Sequence, residues 1–249
     1  MTAPETSENG LLDGRVRIRQ PVNGYRAATD PVLMAAAVVA KAGERVLDLG
    51  CGVGSAALCL AARVPGVALS GVEIQPEYAA LARANAALNQ TSFDVHDGDV
   101  ANMPAALRAQ TFDAVMLNPP WYPPGETPSP DPARDRARRA DVGMDVWIGA
   151  ALARTRQGGQ VVIIQRAERL ADVLTALDGP AGAIEILPLS ARGGRAAKRV
   201  IVRARKSSRA PLRLLAPLVL HAGAAHDRDG DDHSAAAAAI LRNGAPISF

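Results

Sequence analysis

From residue 31 onward, short apolar runs of strand length alternate with segments whose apolar residues recur at helical spacing. The pattern predicts strands at 45–49, 67–73, 92–97, 112–117, 160–165, 183–189 and 199–205, and helices at 31–42, 55–63, 76–89, 142–155 and 169–177. Asp30 followed by Pro31 reads as an N-cap and a first helical residue. Strands separated by helices imply right-handed crossovers, hence a mostly parallel sheet with helices on both faces. The first 14 residues are polar, carry two glycines and are expected to be flexible. Residues 119–133 hold seven prolines and read as a loop. The C-terminal part adds an expected short strand at 217–221, an acidic surface loop at 222–234 and a helix through Ala235 to Ala239. No internal repeat or second domain is visible, so residues 1–249 are read as one domain.

Composition changes this picture little. At 249 residues, 48% hydrophobic and 21% charged, the chain is long and apolar enough for a full core, which excludes a disordered or fibrous class. Its two cysteines, Cys51 and Cys59, fit no CxxC spacing, so neither a disulfide framework nor a zinc site is expected, and a reducing cytoplasm is the default. The N-terminus lacks the build of a signal peptide and no uncharged apolar run approaches about 18 residues, so no membrane partner is expected. Charge is more telling by position than by its net value of +3. Residues 15–26 carry four arginines and no acid, residues 134–139 four arginines and one acid, and residues 192–213 nine basic residues and no acid. Such clusters suit a polyanion.

Gly50, Gly52 and Gly54 form a turn between a predicted strand and a predicted helix, with Asp48 just before it. Backbone N–H groups at such a turn favour a carboxylate or phosphate. Glu73, at the end of the next strand, stands where a ribose diol needs an acceptor. The pair marks a nucleoside-bearing cofactor. The GxGxG spacing and the lack of evident hydride-site residues disfavour an NAD-dependent oxidoreductase. The run VLDLGCGVG, Glu73 and the turn Asp97-Gly98-Asp99 resemble the S-adenosylmethionine (SAM) dependent methyltransferases, whose Rossmann-like α/β sheet has seven strands. The resemblance spans roughly residues 27 to 206. It implies that Gly50 and Gly52 let the backbone approach the methionine moiety, and that Asp48 orients the turn or accepts from the amine. It further implies that Glu73 binds the ribose hydroxyls and Asp99 accepts from the adenine amino group, with Val100 beside the ring. Cys51 reads as a packing residue of the turn.

Asn118-Pro119-Pro120-Trp121 follows the fourth predicted strand, at the end of the sheet where open α/β folds bind ligands. Methylating an exocyclic amine demands two acceptors that hold its N–H protons and aim a delocalised lone pair. The Asn118 side-chain oxygen and the Pro119 carbonyl supply that pair, and consecutive prolines fix the carbonyl's direction. Trp121 offers a face for stacking a planar group. The tetrapeptide matches the Asn-Pro-Pro-aromatic motif of amino methyltransferases acting on adenine N6, guanine N2 or glutamine amide nitrogen.

The segment Ala28-Thr29-Asp30-Pro31-Val32-Leu33 resembles a stretch of the bacterial tRNA (valine) adenine-N6 methyltransferases, which implies that Thr29 and Asp30 close over the methionine end of SAM. Residues 217–221 after an arginine-rich strand look like the same family. An RNA base must leave its stack to reach Asn118. The leading candidates to hold RNA around it are Arg134, Arg136, Arg138 and Arg139, followed by Arg192, Arg195, Lys198 and Arg199, with tRNA the preferred partner. A guanine-N2 rRNA methyltransferase, a protein glutamine-N5 methyltransferase and a noncatalytic RNA-binding protein on a SAM fold stay open as alternatives. The histidines and acids of residues 221–233 do not fit a calcium-loop pattern, and no metal is expected. His96 reads as packed rather than catalytic.

Overall fold

The computed structural model describes residues 5–23, 26–120, 142–223 and 232–249. Its first element overturns an expectation: instead of a flexible polar leader, β1 (Thr6–Leu11) pairs antiparallel with β2 (Val16–Pro21). Val16 and Ile18 of β2 point into the core while Arg17 and Arg19 face out, whereas β1 alternates only between exposed and half-buried positions and buries none of its residues. The ribbon docks on α3 (Pro76–Leu88) by backbone bonds to asparagine side chains rather than by apolar contact alone. Asn85, fully buried, accepts from the Arg19 N–H at 2.7 Å and donates to the carbonyls of Arg19 and Val53, each at 3.0 Å. Asn89 accepts from the Arg17 N–H at 2.9 Å one turn further along. The two amides complete part of the free edge of β2 as a third strand would.

Helix α1 (Thr29–Ala37) also departs from expectation. Ala28 is its N-cap, so Asp30 sits inside the first turn and its carboxylate is turned to Arg199 at 2.9 Å. The helix stops at Ala37 rather than 42 because other groups take its last carbonyls: Arg63 donates to Ala35 and Val38, and the Ile247 N–H to Ala36 at 2.8 Å.

All seven strands predicted from the apolar pattern form and join one sheet: β3 (Arg45–Leu49), β4 (Ala68–Glu73), β5 (Phe93–Asp97), β6 (Phe112–Leu117), β7 (Thr155–Arg166), β8 (Ala181–Ser190) and β9 (Arg199–Lys206). Their order is β8-β9-β7-β6-β3-β4-β5. Only β9 runs antiparallel to its neighbours. The two-residue strands β10 (Arg213–Leu214) and β11 (Leu218–Val219) pair with β8, bringing the sheet to nine strands among the described residues. Alternate residues of the central strands enter opposite cores. Val46, Met116, Val162 and Ile164 face α1, α2 (Ser55–Arg63) and α3, whereas Leu47, Leu117, Val161 and Ile163 face α4 (Ala105–Arg108), α5 (Met144–Arg154) and α6 (Leu170–Leu177). This is the Rossmann-like α/β fold, with α7 (Ala235–Leu241) added against α1. No helix among the described residues is long and apolar enough to cross a membrane.

The expected acidic surface loop at 222–234 is described only at its ends, and those ends are tied down. Asp232 pairs with both Arg192 and His221, and His221 and His233 form a bridge with stacked rings. Among the described residues no group of three or more His, Cys, Asp or Glu could hold a metal ion. His96 is half-buried on β5 beside Asp94 at 2.9 Å.

Candidate functional site

Strand β3 lies between β4 and β6, so the chain leaves its carboxyl end in one direction and returns on the other side. The divergence opens a crevice at the carboxyl ends of β3, β4, β5 and β6, where open α/β sheets bind ligands. A cleft of about 460 Å³ fills it. Thr29, Asp30, Asp48, Gly50, Gly52, Glu73, Asp99, Val100, Asn118, Pro119 and Pro120 all line this one cleft. Trp121 and Arg134, Arg136, Arg138 and Arg139 lie outside the described residues.

The glycine turn is required by geometry. Gly50 has φ +68°, and a Cβ there would lie 2.8 Å from Trp147 Cη2. Gly52 has φ +55° with open space on its Cβ side, and its N–H donates to Glu73 Oε2 at 2.9 Å. The other oxygen, Glu73 Oε1, accepts from the Gln75 N–H at 2.9 Å. Glu73 therefore braces the turn as well as facing the cleft. Burial raises its pKa against the pull of backbone hydrogen bonds from Gln75, Gly52 and Ile74. Asp99 accepts from the Ala101 N–H at 2.9 Å, closing a turn that sets Val100 beside it.

Asp48 is 2% exposed, and burial pushes its pKa up to about 7, with a lesser upward push from the Glu73 charge. Its Oδ2 has no hydrogen-bond partner among the described residues. Three further buried atoms of cleft-lining residues share that condition: Ser55 Oγ, Gln75 Oε1 and Trp147 Nε1. A buried polar atom without a partner costs about 1–3 kcal/mol. Four around one cavity fit a site shaped for a polar ligand. Cys51 lines the same floor as a buried thiol whose pKa burial raises well above the ordinary value, which suits packing and not nucleophilic attack.

At the mouth, Asn118 is half-buried and its side chain makes no hydrogen bond to the described residues, so both lone pairs of its amide oxygen are available. The Pro119 carbonyl accepts from Gln165 Nε2 at 3.1 Å and keeps one lone pair.

Several lining residues escape sequence reasoning. Arg26 was legible only as part of a basic cluster. Three of its five N–H donors are taken, by Ser7 Oγ, the Pro21 carbonyl and Asn9 Oδ1, and no carboxylate pairs with it among the described residues. Ile74 is 61% exposed at the cleft, and its signal was an apolar residue just beyond a strand-ending acid. Trp147 looked like any core residue of a helix. The basic run 192–213 proves partly structural: Arg192 is 11% exposed against Asp232, Arg199 pairs with Asp30, and Arg203 and Arg213 share Glu185. Arg195 and Lys198 are its exposed members nearest the β8–β9 turn.

Known proteins of similar sequence and fold are methyltransferases. Residues 29–130 match the Methyltransferase small domain family. A tRNA1(Val) (adenine(37)-N6)-methyltransferase from Yersinia enterocolitica is 39% identical over 116 residues, covering 45% of each chain. One of the same name from Yersinia pestis is 36% identical over 116 residues, or 45% of this chain and 46% of its own. The chain thus matches less than half the length of these curated relatives. Among solved structures, a predicted O-methyltransferase from Agrobacterium tumefaciens is 27% identical, with a TM-score of 0.69 over 88% of this chain and 98% of its own. A 16S rRNA N2 methyltransferase from T. thermophilus, solved with AdoMet and guanosine, shares the fold at 19% identity, with a TM-score of 0.55 over 83% of this chain and 51% of its own.

Proposed function

We propose that this chain is a SAM-dependent N-methyltransferase acting on an exocyclic amine of an RNA base, with adenine N6 in tRNA the leading acceptor; the match of residues 29–130 to the Methyltransferase small domain family and the likeness of its fold to a predicted O-methyltransferase support the reading. The observation that carries the reading is the convergence of the glycine turn, Asp48, Glu73, Asp99 and Asn118-Pro119-Pro120 on one cleft. Orphaned Asp48 Oδ2 suits the cofactor's ammonium, the cleft-lining carboxylate of Glu73 its ribose hydroxyls, and Ile74 and Val100 the faces of its adenine. Bound there, SAM supplies a methyl group on a positively charged sulfur, an electrophile that needs no acid to activate it.

Asn118 Oδ1 accepts one N–H of the acceptor amine and the Pro119 carbonyl the other, which orients the nitrogen lone pair toward the cleft interior. The amine loses its surplus proton to water once alkylated, so no residue need act as general base. The names of the curated relatives and the exposed basic residues support an RNA acceptor. A single domain working in the reducing cytoplasm agrees with two buried free cysteines.

The test is to incubate the protein with methyl-labelled SAM and separate pools of unmodified tRNA, rRNA and protein, then identify the product by mass spectrometry. N6-methyladenosine in tRNA is expected. N2-methylguanosine in rRNA or methylated glutamine would move the acceptor, and a methylated oxygen would overturn the amine reading.

Arg26 makes a separate prediction. Its two remaining N–H donors are the number a carboxylate takes in a bidentate pair. Arg26→Gln is expected to weaken SAM binding about 10–100-fold, the size of a lost charge-assisted pair. Affinity for decarboxylated SAM should change little. Calorimetric titration of both ligands into both proteins checks this, and equal losses for the two ligands would remove Arg26 from the carboxylate.

A further inference from the structure

Gln165 lies near the end of β7, two residues beyond Ile163, which pairs with Leu117 of β6. That register sets it level with Pro119. It is 2% exposed, and its side-chain amide is spent on two backbone groups: Nε2 donates to the Pro119 carbonyl at 3.1 Å and Oε1 accepts from the Arg166 N–H at 2.8 Å. Both ends of the amide are assigned by chemistry, since a prolyl carbonyl can only accept and a backbone N–H can only donate. A carbonyl oxygen has two lone pairs. One is held by a buried, doubly anchored donor, and the other is left on an oxygen whose residue lines the cleft beside Asn118.

Proline fixes φ at Pro119, and Pro120 after it confines ψ to the extended range without pinning it, so the carbonyl direction set by the two prolines keeps some play within that range. Asn118, whose side chain is held by no described residue, is free to adapt to a substrate; the Pro119 carbonyl is not. We propose that Gln165 is a positioning residue for methyl transfer, clamping the Pro119 carbonyl so that its second lone pair meets one N–H of the acceptor amine. The inference rests on the amine reading of this site and adds a residue from a neighbouring strand that no motif contains.

The test uses Gln165→Met, similar in length but unable to donate, and Gln165→Glu, which keeps the acceptor for Arg166 N–H and donates only when protonated. Displacing a reacting group by about 1 Å can cost on the order of 100-fold. Gln165→Met is therefore expected to lose roughly 10–100-fold in kcat on unmodified tRNA, with SAM affinity within about twofold of the wild type because no cofactor contact is touched. Gln165→Glu should lose as much at pH 8.5 and recover relative to the wild type as pH falls and the donor returns, a limb that mere loosening of the fold would not produce. Near-normal kcat in both variants overturns the proposal. If the wild type binds SAM yet methylates none of the offered acceptors, the amine reading fails instead. Crystals of Gln165→Met then decide the inference alone: a Pro119 carbonyl turned from its wild-type direction supports the clamp, and an unmoved one refutes it.

Discussion

Asn118→Ala should reduce kcat on the accepted RNA by roughly 100–1,000-fold or more, the range seen when one preorganised polar contact to the reacting centre is deleted. Binding of SAM should stay within about twofold, because the side chain faces the acceptor rather than the donor. The loss has two origins. An exocyclic amine is a weak nucleophile whose lone pair is delocalised into the ring, and without an acceptor for its N–H it stays planar and turned away. The second acceptor, the Pro119 carbonyl, cannot compensate, having one lone pair already committed to Gln165. Asn118→Asp keeps an acceptor and is expected to retain far more activity than Asn118→Leu. Single-turnover methylation with parallel SAM titrations measures both quantities. Equal loss of SAM affinity and turnover would reassign Asn118 to the cofactor.

Asp48→Asn is expected to act in opposite directions on stability and on binding. Burial raises the Asp48 carboxyl from an ordinary 3.8 to about 7 in the ligand-free protein. Between those values the folded chain holds a proton that the unfolded chain releases, so raising the pH across this window lowers stability, and the penalty is complete above about pH 7. Removing the acid should stabilise the ligand-free protein at pH 8, by a few kcal/mol at most, at about 1.4 kcal/mol per pKa unit. At pH 4 the two proteins should melt alike.

The ammonium of the cofactor prefers the ionised carboxylate. In the wild type, SAM affinity should therefore rise from about pH 6 to 7.5, with proton release on binding below pH 7. The variant should bind roughly 10–100-fold more weakly at pH 7.5, with a flat profile. Calorimetry in two buffers of different ionisation enthalpy reads the proton count directly, and a wild type that releases none would remove Asp48 from the ammonium.

The sheet was legible in the chain because its central strands are buried on both faces and write themselves as short runs such as RVLDL and FDAVML. The cofactor turn was legible because three glycines in left-handed conformations leave little choice of residue. Legibility failed where structure rests on polar contacts between distant segments. β1 carries no alternating apolar signal, and the asparagines that hold its partner β2 lie 66 and 72 positions further along. Asp30 followed by Pro31 has the form of a helix start, but the carboxylate that should cap the helix is drawn to Arg199 of β9 instead. Gln165 belongs to no motif, since what it does depends on the register of two strands. The basic run at 192–213 overstated the free charge, because several of its carboxylate partners come from other parts of the chain.

Asn85 spans two otherwise separate parts of the molecule, gripping the Arg19 backbone with a pair of bonds and the Val53 carbonyl of the glycine turn with a single one. Trimming the chain back to residue 22, as one trims a loose leader for crystallisation, would strand that amide inside the wall of the donor cleft. The ribbon is a keel for the cleft, to be kept in any shortened version of the protein.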